Sequence, residues 1–218
     1  MVEVVEEQTI PMEQVFNIWR NRYDYALYQE QESFYDMIYD HFPYQLQYNY
    51  QAIKTFLFTL HDRALSILEI GGWHGEMAFA MLNQFSNIVF WNNIEICKKA
   101  RALPVGQDPR YLSPELKDFA WNFNLDRHYD LFIASHLIEH LKKSDLEKLL
   151  NVVDSIECLY FDSPLPKETK SINWSNYPGS HIIEVGWNEL SGIVKGHGYQ
   201  SIVEDGSVYI FKKGEMNQ

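Results

Sequence analysis

The stretch DLFIASHLIEHLKK, residues 130–143, carries His136, Glu139 and His140 in H-x-x-E-H spacing. Two histidines four apart on a helix share a face and can hold zinc, with the glutamate as a base. That chemistry needs His136 inside a helix and a further ligand downstream, for which Glu184 and Glu189 are the candidates. The residues before His136, DLFIAS, read instead as a buried strand. His136 then falls at a strand-to-helix turn, and the metal reading loses its scaffold. No metal is expected. On this reading Ser135 ends a strand, and His140 lies one turn into the following helix.

A second constellation lies upstream, in ILEIGGWHGEMAFAML. A strand ends at Glu69-Ile70, turns through Gly71 and Gly72, passes Trp73 and enters a helix just after Gly75. Glycines in such a turn let the backbone approach a ligand closely. A carboxylate at Glu69 does not suit a pyrophosphate, which wants bare N–H groups. It suits a ligand with an amino group and a positive charge. Glu95 follows Gly75 at the end of the next strand, where an acidic side chain can accept hydrogen bonds from both hydroxyls of a ribose. A ligand with a ribose and an ammonium but no phosphate describes S-adenosylmethionine better than NAD or ATP. The plainer alternatives are a Glu69 that caps its own turn and a Glu95 that is a solvated strand end.

A hydroxyl that attacks such a ligand must lose its proton, and a histidine near neutral pKa suits the task of taking it. Two are candidates. His140 would point toward the pocket mouth. His181 follows the long segment SPLPKETKSINWSNYPGS, which leaves the carboxyl end of the strand CLYFD and carries Trp174 and Tyr177. Ligands bind at that end of open α/β sheets. Buried, hydrogen-bonded packing is the alternative for both histidines.

The elements that must position these residues alternate. ALSILEI, NIVFWNNIEI, YDLFIAS and CLYFDS read as strands, with helical patterns such as EMAFAMLNQF between them. KSDLEKLLNVVDSI has Ser144 as a candidate cap and Glu147 to complete a capping box. WNELSGIVKGHG reads as a helix ending at glycines. GYQSIVEDGSVYIFKK reads as a hairpin joined at Asp205-Gly206. Upstream, Val15, Phe16, Trp19, Tyr23 and Leu27 recur at helical spacing over 12–30, and a further helix is expected from about Tyr48 to His61. Strands alternating with helices imply an α/β fold with a largely parallel sheet covered on both faces.

From Ile67 to Lys213 the chain resembles the class I S-adenosylmethionine-dependent methyltransferases. ILEIGGWHG is similar to their first motif, E-x-G-x-G-x-G, with Trp73 in the place of the middle glycine. IEIC resembles the acidic motif after the second strand, YDLFIASHLIEHL the fourth strand and following helix, and HIIEVGWNELSGIVKGHGY with its hairpin their usual ending. The resemblance implies a Rossmann-like methyltransferase fold: a mostly parallel seven-stranded sheet with an antiparallel C-terminal hairpin strand, over residues 63–218. Residues 1–62 would form an N-terminal helical cap that shapes the acceptor site. It implies that Glu69 and Gly71 contact the methionine portion of the cofactor, that Gly75 allows close backbone approach, that Gly72 and Trp73 belong to the same cofactor-binding turn, that Glu95 holds the ribose, and that Ser135 and His136 face the cofactor. Asp118-Phe119 resembles the adenine-binding motif. The implied reaction is methyl transfer to a small molecule, with a hydroxyl of a sugar or natural-product-like metabolite favoured. N-methylation of a small amine and a non-catalytic binding module are the alternatives.

Composition bounds the partners. The 218 residues carry a net charge of −12, which argues against nucleic acid and anionic membranes, since both are bound through Lys and Arg. Two cysteines without C-x-x-C spacing argue against a disulfide framework and fit a reducing compartment. The acidic N-terminus is no signal peptide. A cytoplasmic protein acting on a small-molecule acceptor is expected.

Overall fold

The computed structural model describes residues 32, 33, 35, 36, 39, 50–115, 118–123, 125, 127–168 and 184–214. The expected helix over 12–30, His181, Trp174 and Tyr177 lie outside the described residues. Helix α1 (Tyr50–Phe58) leads into β1 (Leu65–Ile70) and α2 (Glu76–Leu82). There follow β2 (Ile88–Ile94), the short α3 (Lys98–Ala102), β3 (Tyr111–Leu112) and β4 (Leu131–Ser135). Helix α4 (Lys143–Val153), β5 (Cys158–Asp162), α5 (Trp187–Gly196), β6 (Tyr199–Asp205) and β7 (Val208–Lys213) complete the chain.

The described residues form a seven-stranded sheet in the order β3-β2-β1-β4-β5-β7-β6. β1 to β5 run parallel, while β7 pairs antiparallel with both β5 and β6. This is the architecture expected from the sequence. LFIAS and CLYFD are apolar nearly throughout because both faces of their strands are covered: every residue of β4 and β5 is buried. One face packs Leu68, Phe132, Leu159 and Phe211 against α4 and α5, through Leu146, Leu150, Trp187 and Leu190. The other packs Ile67, Ile133, Tyr160 and Ile210 against α1 and α2, through Ile53, Leu57, Met77 and Met81.

After β1 the chain steps outward to β2 and β3, then returns to lay β4 on the other side of β1. The order reverses there, and in open α/β sheets ligands bind beyond the carboxyl ends of the strands at such a point, here β1 and β4. Register brings the candidate residues to that edge. Glu69 lies opposite Asn93 on β2 and Ile133 on β4, and Ser135 lies opposite Asp162 on β5.

Three local expectations are corrected. Ser144 does not cap α4. The helix begins at Lys143 after an N-cap at Lys142 without a side-chain cap bond, and the Glu184 carboxylate accepts the Lys143 N–H at 2.8 Å instead. His140 is not one turn into an α-helix. It closes a 3-10 turn, Ile138–His140, after which Leu141 returns to extended backbone at φ −99° and ψ 140°. The terminal hairpin turns at Gly206 and Ser207, because Asp205 still pairs with Val208. Gly206 supplies the positive φ, 58°, at the first turn position.

Candidate functional site

The turn after β1 is shaped from beneath by side chains of β1, β2 and β3. Trp91 donates its indole N–H to Glu69 Oε2 at 2.8 Å. Asn93 accepts the Gly72 N–H at 3.0 Å and donates to the Trp73 carbonyl at 3.2 Å and to the Tyr111 hydroxyl at 3.0 Å. A Cβ at Gly72 would lie 2.5 Å from the Glu69 carboxyl carbon and 2.7 Å from Asn93 Oδ1, so a side chain here would displace both polar groups. Gly75 has φ 81° and starts α2, and a Cβ there would lie 2.7 Å from the Tyr111 hydroxyl. Asn93 and Tyr111 escaped the sequence reading. A signal for Asn93 existed: two asparagines, Asn92 and Asn93, interrupt an otherwise apolar strand.

Glu69 is fully buried, and its Oε1 has no hydrogen-bond partner among the described residues. Burial pushes its carboxyl up to about 8; the Trp91 bond opposes this, and the charges of Glu76 and Glu95 add to it. A buried carboxylate oxygen without a donor is costly, and an ammonium would satisfy it.

Trp73, in the place of a glycine, takes the left-handed backbone that glycine favours, with φ 48°. Its ring is buried against Cys97 and Ala100, beside Tyr35 and Tyr39. The Trp73 backbone N–H donates to Glu95 Oε2 at 2.8 Å, and the Cys97 backbone N–H donates to Glu95 Oε1 at 2.7 Å. Glu95 is therefore no solvated strand end. It is 2% exposed, and burial pushes its carboxyl up to about 7 against those N–H bonds and the charge of Arg101. The few described N-terminal residues dock on this corner: Arg101 pairs with Glu32 at 2.8 Å, Asp36 accepts the Lys99 N–H at 3.0 Å, and the Tyr39 ring lies 5.7 Å from that of Trp73.

At the tip of β4, Ser135 is buried and its hydroxyl has no partner among the described residues. His136 has φ 52°, a left-handed conformation that costs a non-glycine residue about 1–3 kcal/mol. Its N–H donates to the Asp162 carbonyl at 2.7 Å, which ties the strained residue to β5. Its Nδ1 lies 3.2 Å from Glu139 Oε1, and the Ser163 hydroxyl donates to Glu139 Oε2 at 2.8 Å. Burial raises the Glu139 carboxyl, but the His136 hydrogen bond and the charges of His140 and His136 hold it below its ordinary value. H-x-x-E-H thus folds as a strand end and a 3-10 turn. The α-helical face that a zinc protease needs is not formed.

The predicted residues divide into three groups. Glu69, Gly71, Gly72, Trp73, Gly75 and Glu95 gather around one turn. Ser135, His136 and half-buried His140 lie at the end of β4, where the Leu137 side chain stands 3.6 Å from the position of a Gly71 Cβ. Asp118 and Phe119 lie just before a 3-10 turn at Ala120–Asn122: Asp118 is exposed and accepts the Phe119 N–H at 2.8 Å, and Phe119 packs against the core cluster that includes Ile94 and Ile138.

No protein-family model and no curated protein matches the chain. Solved methyltransferase structures do. The chain is 11% identical to the magnesium protoporphyrin IX methyltransferase of Synechocystis PCC 6803, solved with bound S-adenosylhomocysteine (SAH), with TM-score 0.56 over 92% of this chain and 100% of that one. It is 14% identical to DhpI, in complex with SAH, with TM-score 0.54 over 94% of this chain and 98% of that one. It is 14% identical to the small RNA methyltransferase HEN1, with TM-score 0.57 over 77% of this chain but 25% of that longer protein. The fold is that of the class I S-adenosylmethionine-dependent methyltransferases. One of these neighbours acts on RNA, so the fold by itself does not exclude a nucleic-acid acceptor. Among the described residues no helix is long and apolar enough to cross a membrane.

Proposed function

We propose that this protein is an S-adenosylmethionine-dependent methyltransferase that acts on a small molecule, with a hydroxyl of a sugar or natural-product-like metabolite as the favoured acceptor. One observation carries the reading: a buried carboxylate, Glu69, with an unpartnered oxygen beneath a glycine turn at the switch point of the sheet. The solved structures of this fold that hold SAH support the same cofactor.

The residues present fit that cofactor. Glu69 offers the buried acceptor an ammonium needs, and Gly71, Gly72, Trp73 and Gly75 form the turn beside it. Both Glu95 oxygens already accept an N–H, yet each keeps a second lone pair for a ribose hydroxyl. Ser135 and His136 would border the sulfonium end, and Asp118 with Phe119 the adenine. When bound, the cofactor supplies a methyl group already activated on a sulfonium, so positioning and proton removal are the protein's tasks. The net charge of −12 favours a small acceptor over RNA. Residues 1–62 serve as a cap on the acceptor side, and His140 or His181 as base in the simplest version.

A second reading, a binding module without turnover, draws on Trp73, whose ring fills the corner beside Cys97 and Tyr39. Calorimetry with S-adenosylmethionine and SAH, followed by methyl-label transfer to panels of sugars, phenols, amines and small RNA, separates these. Micromolar binding with transfer to a hydroxyl acceptor is expected. No binding at millimolar cofactor overturns the enzyme. Binding without transfer supports the module, and transfer to amines or RNA alone replaces the acceptor class.

A further inference from the structure

Glu139 is fully buried, and the acid–base roles given above leave it without a task. Its two oxygens are divided between a histidine and a hydroxyl: Oε1 faces His136 Nδ1 at 3.2 Å, and Oε2 accepts from Ser163 at 2.8 Å. The Ser163 bond fixes the carboxylate, so the carboxylate in turn fixes the imidazole. A carboxylate at Nδ1 places the proton on that nitrogen and leaves Nε2 as the basic one. His136 itself is pinned. Its backbone holds a left-handed φ of 52° and its N–H is bonded to the Asp162 carbonyl at 2.7 Å. The imidazole is still 26% exposed, just past the carboxyl end of β4. A strained, oriented, partly exposed histidine backed by a buried carboxylate is an arrangement for moving a proton.

We propose that His136 is the general base for the acceptor hydroxyl, and that Glu139, fixed by Ser163, is the residue that positions it. The inference rests on the methyltransferase reading above and reassigns the base from His140 or His181. As the acceptor oxygen bonds the methyl carbon, the carbon–sulfur bond breaks with its electron pair left on sulfur, and the hydroxyl proton passes to His136 Nε2. Glu139 stays ionised throughout and stabilises the imidazolium through Nδ1–H. Among the described residues, the charged and titratable groups beside this histidine include Glu139 and His140 on the 3-10 turn and Asp162 on β5, whose carbonyl accepts its N–H at 2.7 Å and whose carboxylate accepts from Ser207 at 2.8 Å. His140 acts on the same carboxylate through its charge and so tunes the pair.

The test is side-chain NMR of the histidines in the full chain, wild type against Glu139→Gln, Ser163→Ala and His136→Gln, with unfolding curves to show that each variant folds. His136→Gln assigns the signal. The expected result is a His136 ring protonated at Nδ1 when neutral, whose proton affinity falls about tenfold or more in Glu139→Gln and by less in Ser163→Ala. With the hydroxyl acceptor found in the panel, His136→Gln is expected to lower kcat about 100-fold or more. An unchanged His136 titration in folded Glu139→Gln overturns the pairing, and unchanged turnover in His136→Gln overturns the base. Micromolar binding of added zinc chloride to the His136 and His140 rings, with activity that depends on it, replaces the base by a metal site. SAH calorimetry on the wild type keeps the two readings apart. Loss of the pairing with SAH still bound removes the base alone, whereas an intact pairing without SAH binding removes methyl transfer and the task of the base with it.

Discussion

The carboxylate of Glu95 accepts the backbone N–H of Trp73 at 2.8 Å, and so the residue at the end of β2 holds the residue that stands where a glycine is expected after β1. The same carboxylate accepts the Cys97 N–H at 2.7 Å. Glu95→Ala leaves two N–H donors without their acceptor at a buried corner. A loss of about 2–4 kcal/mol is expected in urea unfolding. SAH affinity should fall with it. A loss within experimental error would mean that water or other groups satisfy both donors, and that Glu95 organises nothing.

Stability should fall as pH rises through neutrality. Burial holds Glu69 at about 8 and Glu95 at about 7 in the folded chain, against an ordinary 4.5. Between these values the folded chain binds more protons than the unfolded chain. Their contribution is therefore fully present below the ordinary value and is lost as pH rises through 7 and 8. The slope is on the order of 1 kcal/mol per pH unit for each group within its window. Urea unfolding at about pH 5.5, 7 and 8.5 measures it, and Glu69→Gln should flatten the upper part of the curve. A wild-type stability that climbs over this range would contradict the placement of these carboxylates.

His136→Asn tests the cost of the strained strand tip. Asparagine tolerates the left-handed region better than histidine, so the variant should gain up to about 1 kcal/mol, or a few degrees in Tm. It should also lose methyl transfer. A clear loss of stability would show that the Glu139 bond outweighs the strain it accompanies.

Gly75→Ala should destabilise the chain by about 2 kcal/mol or more, because φ 81° and the Tyr111 hydroxyl at 2.7 Å both resist a Cβ. Tyr111→Ala removes the obstacle and leaves the backbone cost. The double variant is therefore expected to be more stable than the sum of the single losses implies, with a coupling of about 1 kcal/mol in a double-mutant cycle. Strict additivity would show that the backbone angle alone excludes a side chain.

The sequence by itself determined the order of the elements and which of them carry the chemistry. Alternating apolar runs and helical patterns made LSILEI, IVFWNNI, LFIAS and CLYFD the parallel strands, and DLFIAS decided against a zinc helix at His136. Local periodicity carries that information because it follows from how each element buries one or two faces. Tertiary structure decided what the polar residues do. Nothing in a linear reading brings Trp91 to Glu69, Tyr111 to Gly75 or Ser163 to Glu139, since these pairs meet only when strands take their register and the chain doubles back between β3 and β4. The short β3 has no pattern to read, and only the fold decided between a buried and a solvated Glu95, by closing its corner with Trp73 and Cys97. H-x-x-E-H shows the division most clearly. Its letters fitted a metal, its preceding strand fitted a pocket wall, and only the fold buried Glu139 between His136 and Ser163, because the strands that lead into them meet only in the sheet.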